Sequence, residues 1–197
     1  IHIDIDPSTL NKNIKVHCPI VGDAKSVITQ LDESIPLEFK PDSKTRKDWF
    51  NQIKEWELHH PTVASQNGKH IKTSFAIDTI SKITKGKAVV VTDVGQHQMW
   101  VAQYYQFENP RNQITSGGLG TMGFGFPAAI GAKLGRPNDM VLAICGDGSF
   151  QMNMQELITA VTYQIPVKFI ILNNSYLGMV RQWQELFHKE RFSFTSL

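Results

Sequence analysis

The chain has 197 residues, with 20 Lys and Arg against 18 Asp and Glu and an apolar share of 41%. That length allows one domain, or one domain plus part of another, and the near-balance of charge excludes a strongly polyanion-binding protein. Two cysteines, Cys18 and Cys145, exclude a disulfide scaffold, and the apolar runs Met140–Cys145 and Phe169–Leu172 are too short to span a bilayer. No signal-peptide pattern opens the chain, so the cytoplasm is the expected compartment.

Ile1–Asp6 alternates apolar and polar residues and reads as a strand, ended by Pro7. The first residue is not Met, and the last residues Phe192–Leu197 run on apolar, so a piece of a longer protein is expected. Ile14–Val21 reads as a second strand, Gly22-Asp23 as a turn, and Ala24–Leu31 as a helix carrying Val27, Ile28 and Leu31 at helical spacing. Residues 1–38 thus look like the tail of one domain, and residues 39–68 like a linker. Lys40-Pro41-Asp42-Ser43 breaks the pattern at its start. Ser43–Glu57 follows as a charged helix with Trp49, Phe50, Ile53 and Trp56 on one face, stopped by His59-His60-Pro61. The basic residues at 40–47 read as a solvated helix start, because aspartates accompany them and no aromatic residues interleave them.

From residue 69 the rhythm changes. Helices are predicted at Ser74–Ile83, Gln96–Tyr105, Phe126–Lys133, Phe150–Tyr163 and Gly178–Phe187. Strands are predicted at Ala88–Thr92, Asn112–Thr115, Met140–Cys145 and Val167–Leu172. Short, fully apolar strands alternating with helices predict an α/β fold, a parallel sheet with helices on both faces. In such a sheet ligands bind beyond the carboxyl ends of the strands. The glycine-rich and polar segments fall there: Asp93–His97, Gly117–Gly125, Gly146–Ser149 and Asn173-Asn174.

Asp147 and Asn174 end successive strands, and a right-handed crossover brings those ends to one edge of the sheet. A carboxylate and an amide oxygen are hard ligands, suited to Mg²⁺ or Ca²⁺. Gly146 and Gly148 allow close approach of a phosphate, and the next helix directs free N–H groups at the same place. Taken singly, Gly-Asp-Gly is a helix-capping turn and Asn-Asn a turn signal. The joint pattern of apolar strand, Gly146-Asp-Gly-Ser149, helix, apolar strand and Asn173-Asn174 resembles the diphosphate-binding domain of thiamine-diphosphate enzymes. Asp93–Trp100, Ser116–Gly131 and Leu172–Gln184, with its Gly-Met-Val-Arg-Gln-Trp segment, narrow the resemblance. They are similar to the large catalytic subunits of biosynthetic acetolactate (acetohydroxyacid) synthases, over essentially the whole chain. Residues 1–38 resemble the end of that family's Rossmann-like, FAD-binding middle domain, and 69–197 its thiamine-diphosphate domain, incomplete at the carboxyl end.

The resemblance implies thiamine diphosphate, Mg²⁺ and FAD as cofactors. Mg²⁺ would take Asp147, Asn174 and the backbone carbonyl of Tyr176. The diphosphate would lie among Val94, Gly95, Gln96, His97, Gly146, Gly148, Ser149, Leu177 and Gly178. Gly120 and Met122 would hold the aminopyrimidine, with Met122 under the bend of the cofactor; a flexible thioether fills such a gap. Read without the family, His97 is a polar helix start and Met122 core packing. Asp4 and Asp23 match positions near FAD, or are turn and cap residues. Trp183 and Met179 form either an i,i+4 core pair or the wall selecting the second keto acid. The activity implied is decarboxylation of pyruvate and carboligation to pyruvate or 2-ketobutyrate, the first common step of branched-chain amino-acid biosynthesis. A homodimer or homotetramer and a small regulatory subunit are the implied partners. The activating glutamate of the family sits in an amino-terminal domain, and no glutamate here matches its context, so this chain alone is expected to be inactive. Readings outside this family are another thiamine-diphosphate decarboxylase or carboligase, and a non-catalytic phosphate-binding module.

Overall fold

A computed structural model describes residues 1–39, 42–62 and 64–197. The break expected at Lys40-Pro41 lies outside the described residues. The chain divides into two compact units, Ile1–His60 and Pro61–Leu197, so the expected linker, residues 39–68, straddles the division.

In the first unit, β1 (His2–Asp4) pairs in parallel with β2 (Pro19–Val21), and α1 (Ala24–Ser34) and α2 (Ser43–His59) follow. The predicted strand at Ile14–Val21 is shorter than its apolar pattern suggests. Asn11 explains this: it takes a left-handed backbone and its side chain accepts the Val16 N–H at 2.8 Å, holding 11–16 in a loop. Asp23 caps α1, accepting from the Ser26 N–H at 2.9 Å and the Ser26 hydroxyl at 3.0 Å. Asp4 accepts the Asp6 N–H at 2.9 Å. Local hydrogen bonds at their own turns hold both carboxyls below the usual carboxylate range. On α2 the rings of Trp49 and Trp56 meet edge to face, with centroids 5.6 Å apart.

The second unit contains α3 (Thr73–Thr84), β3 (Val89–Thr92), α4 (Gln96–Tyr104), β4 (Gln113–Thr115), α5 (Gly125–Gly135), β5 (Val141–Gly146), α6 (Asp147–Met152), α7 (Leu157–Thr162), β6 (Lys168–Leu172) and α8 (Gly178–Phe187). Its four strands are all parallel, in the order β4-β3-β5-β6. The side-chain period of two divides the core. Val90, Leu142 and Ile144 pack with Ile77 of α3 and Val101 of α4 on one face. Val89, Val91, Val141, Ala143 and Cys145 pack with Ala129 of α5 on the other. Both faces are covered, which is why β3 and β5 read as unbroken apolar runs. Phe126 is buried, with Phe169 edge-on at 4.4 Å between centroids; burying such a side chain contributes roughly 1.5–3 kcal/mol. Burial pushes the Cys145 thiol up to about 12, so it carries no thiolate at neutral pH.

Two elements depart from the pattern. The helix expected at Phe150–Tyr163 is broken at Asn153 into α6, a 3₁₀ turn at Met154–Glu156, and α7. Asn153 has φ −135°, and its side chain donates to the Gly123 carbonyl at 2.8 Å, a tertiary partner that competes with the helical ladder. The amino-terminal end of α6 is at Asp147 rather than Phe150, so Asp147 stands in the first helical turn, where the helix dipole favours a negative charge.

Candidate functional site

The chain passes from β3 outward to β4, then returns to place β5 on the opposite side of β3. This reversal opens a crevice above the carboxyl ends of β3 and β5, the place where open α/β sheets bind ligands. A cavity of about 510 Å³ lies there. β5 and β6 are hydrogen-bonded neighbours, with Gly146 opposite Leu172, so Asp147 and the 173–176 loop leave adjacent strand ends.

The structure gathers the sequence-nominated residues of this unit into one cavity wall. Val94, Gly95, Gln96 and His97 come from the β3–α4 junction, and Gly120 and Met122 from the glycine-rich loop before α5. Gly146, Asp147, Gly148 and Ser149 come from the β5–α6 junction, and Asn174, Tyr176, Leu177, Gly178 and Met179 from the β6–α8 junction. Trp183 is the exception. It is not among the lining residues, it is 58% exposed, and its ring packs on Phe187 at 5.1 Å. Of the two readings of this pair, a buried core pair does not fit an indole this exposed. Met179 and Trp183 share one face of α8, but Trp183 stands one turn further along, beyond the lined part of the cavity. Asp4 and Asp23 belong to the first unit and serve there as turn and cap.

Several hydrogen bonds organise the wall. Asp147 accepts the Ser175 N–H at 2.7 Å through one carboxylate oxygen. Asn174 accepts the Tyr176 N–H at 3.0 Å, folding the loop back so that the Asn174 side chain and the Tyr176 backbone lie together. The Ser149 hydroxyl donates to the Val94 carbonyl at 3.0 Å, tying α6 to the β3–α4 junction. Gln96 donates to Gln182 at 3.0 Å, tying α4 to α8. Among the described residues no three His, Cys, Asp or Glu side chains cluster as a metal-binding group. One carboxylate, one amide oxygen and a nearby backbone carbonyl could hold a hard cation that keeps other oxygen ligands, as Mg²⁺ does with phosphates and water.

His97 is 5% exposed, and its Nε2 is buried without a hydrogen-bond partner among the described residues. The ring lies so close to the backbone that a Cβ on Gly95 would stand 2.9 Å from it, and one on Gly146 3.2 Å away. Gly95 also has φ +150°, which favours glycine. Burial pushes His97 below its ordinary value of 6.5, against the opposing pull of Asp93 and Asp147. A lowered folded value means that the unfolded chain takes up the proton first. This contribution to stability is complete above about pH 6.5 and declines as the pH falls below it. The midpoint of urea unfolding of the metal-free protein should fall between about pH 6.5 and pH 5.5, and His97→Gln should flatten that fall. An unchanged pH profile in the variant would assign the acid sensitivity to other groups.

Sequence reasoning missed several wall residues. Trp100 is one turn beyond Gln96 and His97 on α4, a signal that helical spacing carries. Ile71, Thr73 and Ala76 carry no local signal, because only packing brings the start of α3 to this edge. Asp93 is fully buried just outside the lining.

The segment that carries this cavity matches a known family. Residues 93–197 match the family described as thiamine pyrophosphate enzyme, C-terminal TPP binding domain. The chain is 49% identical over 194 residues to an acetolactate synthase large subunit of Buchnera aphidicola subsp. Schlechtendalia chinensis, covering 98% of this chain and 34% of that protein. It is 47% identical to acetolactate synthase isozyme 3 large subunit of Escherichia coli, with 98% and 34% covered. Against the chloroplastic acetolactate synthase 1 of Nicotiana tabacum, identity is 45%, with 100% and 30% covered. The chain spans about a third of the length of these relatives. The matched segment begins at the end of β3 and carries every lining residue from Val94 onward, and on that ground the chain belongs to the thiamine pyrophosphate enzymes, through the family of their C-terminal TPP-binding domain.

Proposed function

We propose that this chain is the thiamine-diphosphate-binding part of an acetolactate synthase large subunit. The observation that carries the reading is the meeting of Asp147, Asn174 and Tyr176 from adjacent strand ends above a glycine-lined cavity. The identity of 45–49% to acetolactate synthases supports the choice within the superfamily.

The residues fit the cofactor. Asp147, the Asn174 amide oxygen and the Tyr176 carbonyl would hold Mg²⁺. Val94, Gly95, Gln96 and His97, with Gly146, Gly148, Ser149, Leu177 and Gly178, would surround the diphosphate. Gly120 and Met122 would hold the aminopyrimidine. Bound thiamine diphosphate supplies the nucleophilic carbon and electron sink for decarboxylating a 2-keto acid and joining the remainder to a second one. This chain would bind and orient that group, and the apolar Met122, Leu177, Met179 and Val180 that line the cavity would keep water from the reacting carbon. Among the described residues no glutamate lines the 510 Å³ cavity, so the activating carboxylate is assigned to another domain, from a neighbouring subunit. FAD, in this reading, would be met near Asp4 and Asp23, each of which also serves its own turn or cap through one carboxylate oxygen. The substrates in this reading are pyruvate and 2-ketobutyrate, the assembly is a homo-oligomer, with or without a regulatory subunit, and the compartment is the cytoplasm.

The test is acetolactate formation from pyruvate by the intact native protein, with Mg²⁺ and thiamine diphosphate present or withheld. Activity should require both, and the 197-residue chain alone should show none. Trp183→Leu should leave pyruvate decarboxylation largely intact and shift the product ratio when 2-ketobutyrate competes. Discrimination of one methylene is worth about 1–3 kcal/mol. Its exposed indole stands one turn past Met179 of the wall, which supports a role at the mouth rather than the floor. An unaltered product ratio would remove Trp183 from acceptor selection, and absence of acetolactate from the native protein would overturn the assignment.

A further inference from the structure

Two side chains unused by the cofactor reading grip one loop from opposite sides. Asp93 is fully buried and makes no ion pair among the described residues. Its oxygens accept three backbone N–H groups: Val94 at 2.7 Å, Gly123 at 3.0 Å and Gly125 at 2.7 Å. Asn153 donates to the carbonyl of Gly123 at 2.8 Å. Both polar groups of the Gly123 backbone are therefore held by side chains from other elements.

The fit leaves no slack. Gly123 has φ +86°, and a Cβ there would lie 2.7 Å from the Asn153 amide nitrogen and 3.2 Å from the Met152 Cβ. A Cβ on Gly125 would lie 2.7 Å from the Asp93 backbone nitrogen. A carboxylate without a cation is an expensive group to bury where an apolar side chain would pack as well. Breaking a helix at Asn153 likewise forgoes backbone hydrogen bonds. Both departures converge on Gly123, next to Met122. Neither side chain lines the cavity.

We infer that Asp93 and Asn153 are positioning residues that fix Met122 relative to the Val94–His97 junction, and so set the separation between the ring-binding and diphosphate-binding halves of the cavity. The inference rests on the thiamine diphosphate reading above. Asp93 bonds to both halves, through Val94 and through Gly123 and Gly125. Asn153 bonds only to the loop.

The test compares affinities for thiamine diphosphate and inorganic pyrophosphate at saturating Mg²⁺ in the intact native protein, read by tryptophan fluorescence with Trp100 in the cavity wall. Pyrophosphate probes one half of the cavity, and the ratio of the two affinities reports the grip on the rings. Asn153→Ala should keep pyrophosphate affinity and weaken thiamine diphosphate about 10-fold, the loss typical of one buried hydrogen bond. Asp93→Asn turns a donor toward the N–H groups it must accept. It should weaken both ligands, and thiamine diphosphate the more. A variant that only lost stability would unfold earlier yet keep the wild-type ratio, and wild-type ratios in Asn153→Ala would overturn the inference whether or not Asp93→Asn folds. If the wild-type protein binds the two ligands equally, the thiamine diphosphate reading itself fails and the inference with it.

Discussion

Asp147→Ala should abolish Mg²⁺-dependent binding of thiamine diphosphate. It removes the sole carboxylate from the proposed ligand set and also releases the Ser175 N–H, which Asp147 accepts at 2.7 Å to hold the 173–176 loop. Loss of an outer-sphere partner commonly costs 10–100-fold in metal affinity, so loss of a charged ligand should exceed about 100-fold. Asn174→Ala should cost less, because a neutral ligand is removed. Asp147→Asn separates the two contributions: its amide oxygen still accepts from Ser175, so the loop keeps its shape while the charge is gone. Titration with the cofactor at fixed Mg²⁺, read calorimetrically, checks the order Ala ≥ Asn at 147, with Ala at 174 mildest. Unchanged affinity in Asp147→Ala would remove the metal from this strand end.

Gly125→Ala should destabilise the second unit by about 2 kcal/mol or more, opposite to the expectation from helix propensity. Gly125 opens α5, and alanine there would gain about 1 kcal/mol of intrinsic propensity. The added Cβ would, however, stand 2.7 Å from the Asp93 nitrogen, 2.8 Å from its Cβ and 2.9 Å from its Cα. Those atoms belong to Asp93, directly after the interior strand β3, and cannot rotate away as a flexible side chain would. Overpacking of this kind costs typically about 1–3 kcal/mol. Any relief that moves Gly125 outward lengthens its 2.7 Å bond to Asp93, and a buried acceptor left unpaired costs about 1–3 kcal/mol more. Urea unfolding of the variant gives the sign directly; a stabilised protein would show that the α5–β3 contact yields.

Patterns whose cause is local are legible in the amino-acid sequence. Unbroken apolar runs at Val89–Thr92 and Val141–Cys145 announce strands buried on both faces. The glycine and polar clusters directly after them announce the ligand-binding edge, because chain direction in a parallel sheet puts all such junctions on one side. That determined the fold class, and the Gly146–Ser149 and Asn173-Asn174 pair pointed to the cofactor. What remained hidden depends on partners distant in sequence. Strand order β4-β3-β5-β6 decided which junctions flank the crevice. Thr73 and Ala76 reach the wall only because α3 packs against α4 over one face of the sheet. Trp183 is exposed because the wall of the cavity ends a turn before it on α8. The helix break at Asn153 has no cue nearby, since its cause is a carbonyl 30 residues upstream. Asp93 stood in the sequence only as the first residue of the Asp93–His97 junction, and the return of the Gly123–Gly125 loop supplied the N–H groups that make it a buried anchor. Local propensity and periodicity act within a few residues, whereas these features are fixed by hydrogen bonds and packing across the chain, which tertiary structure alone decides.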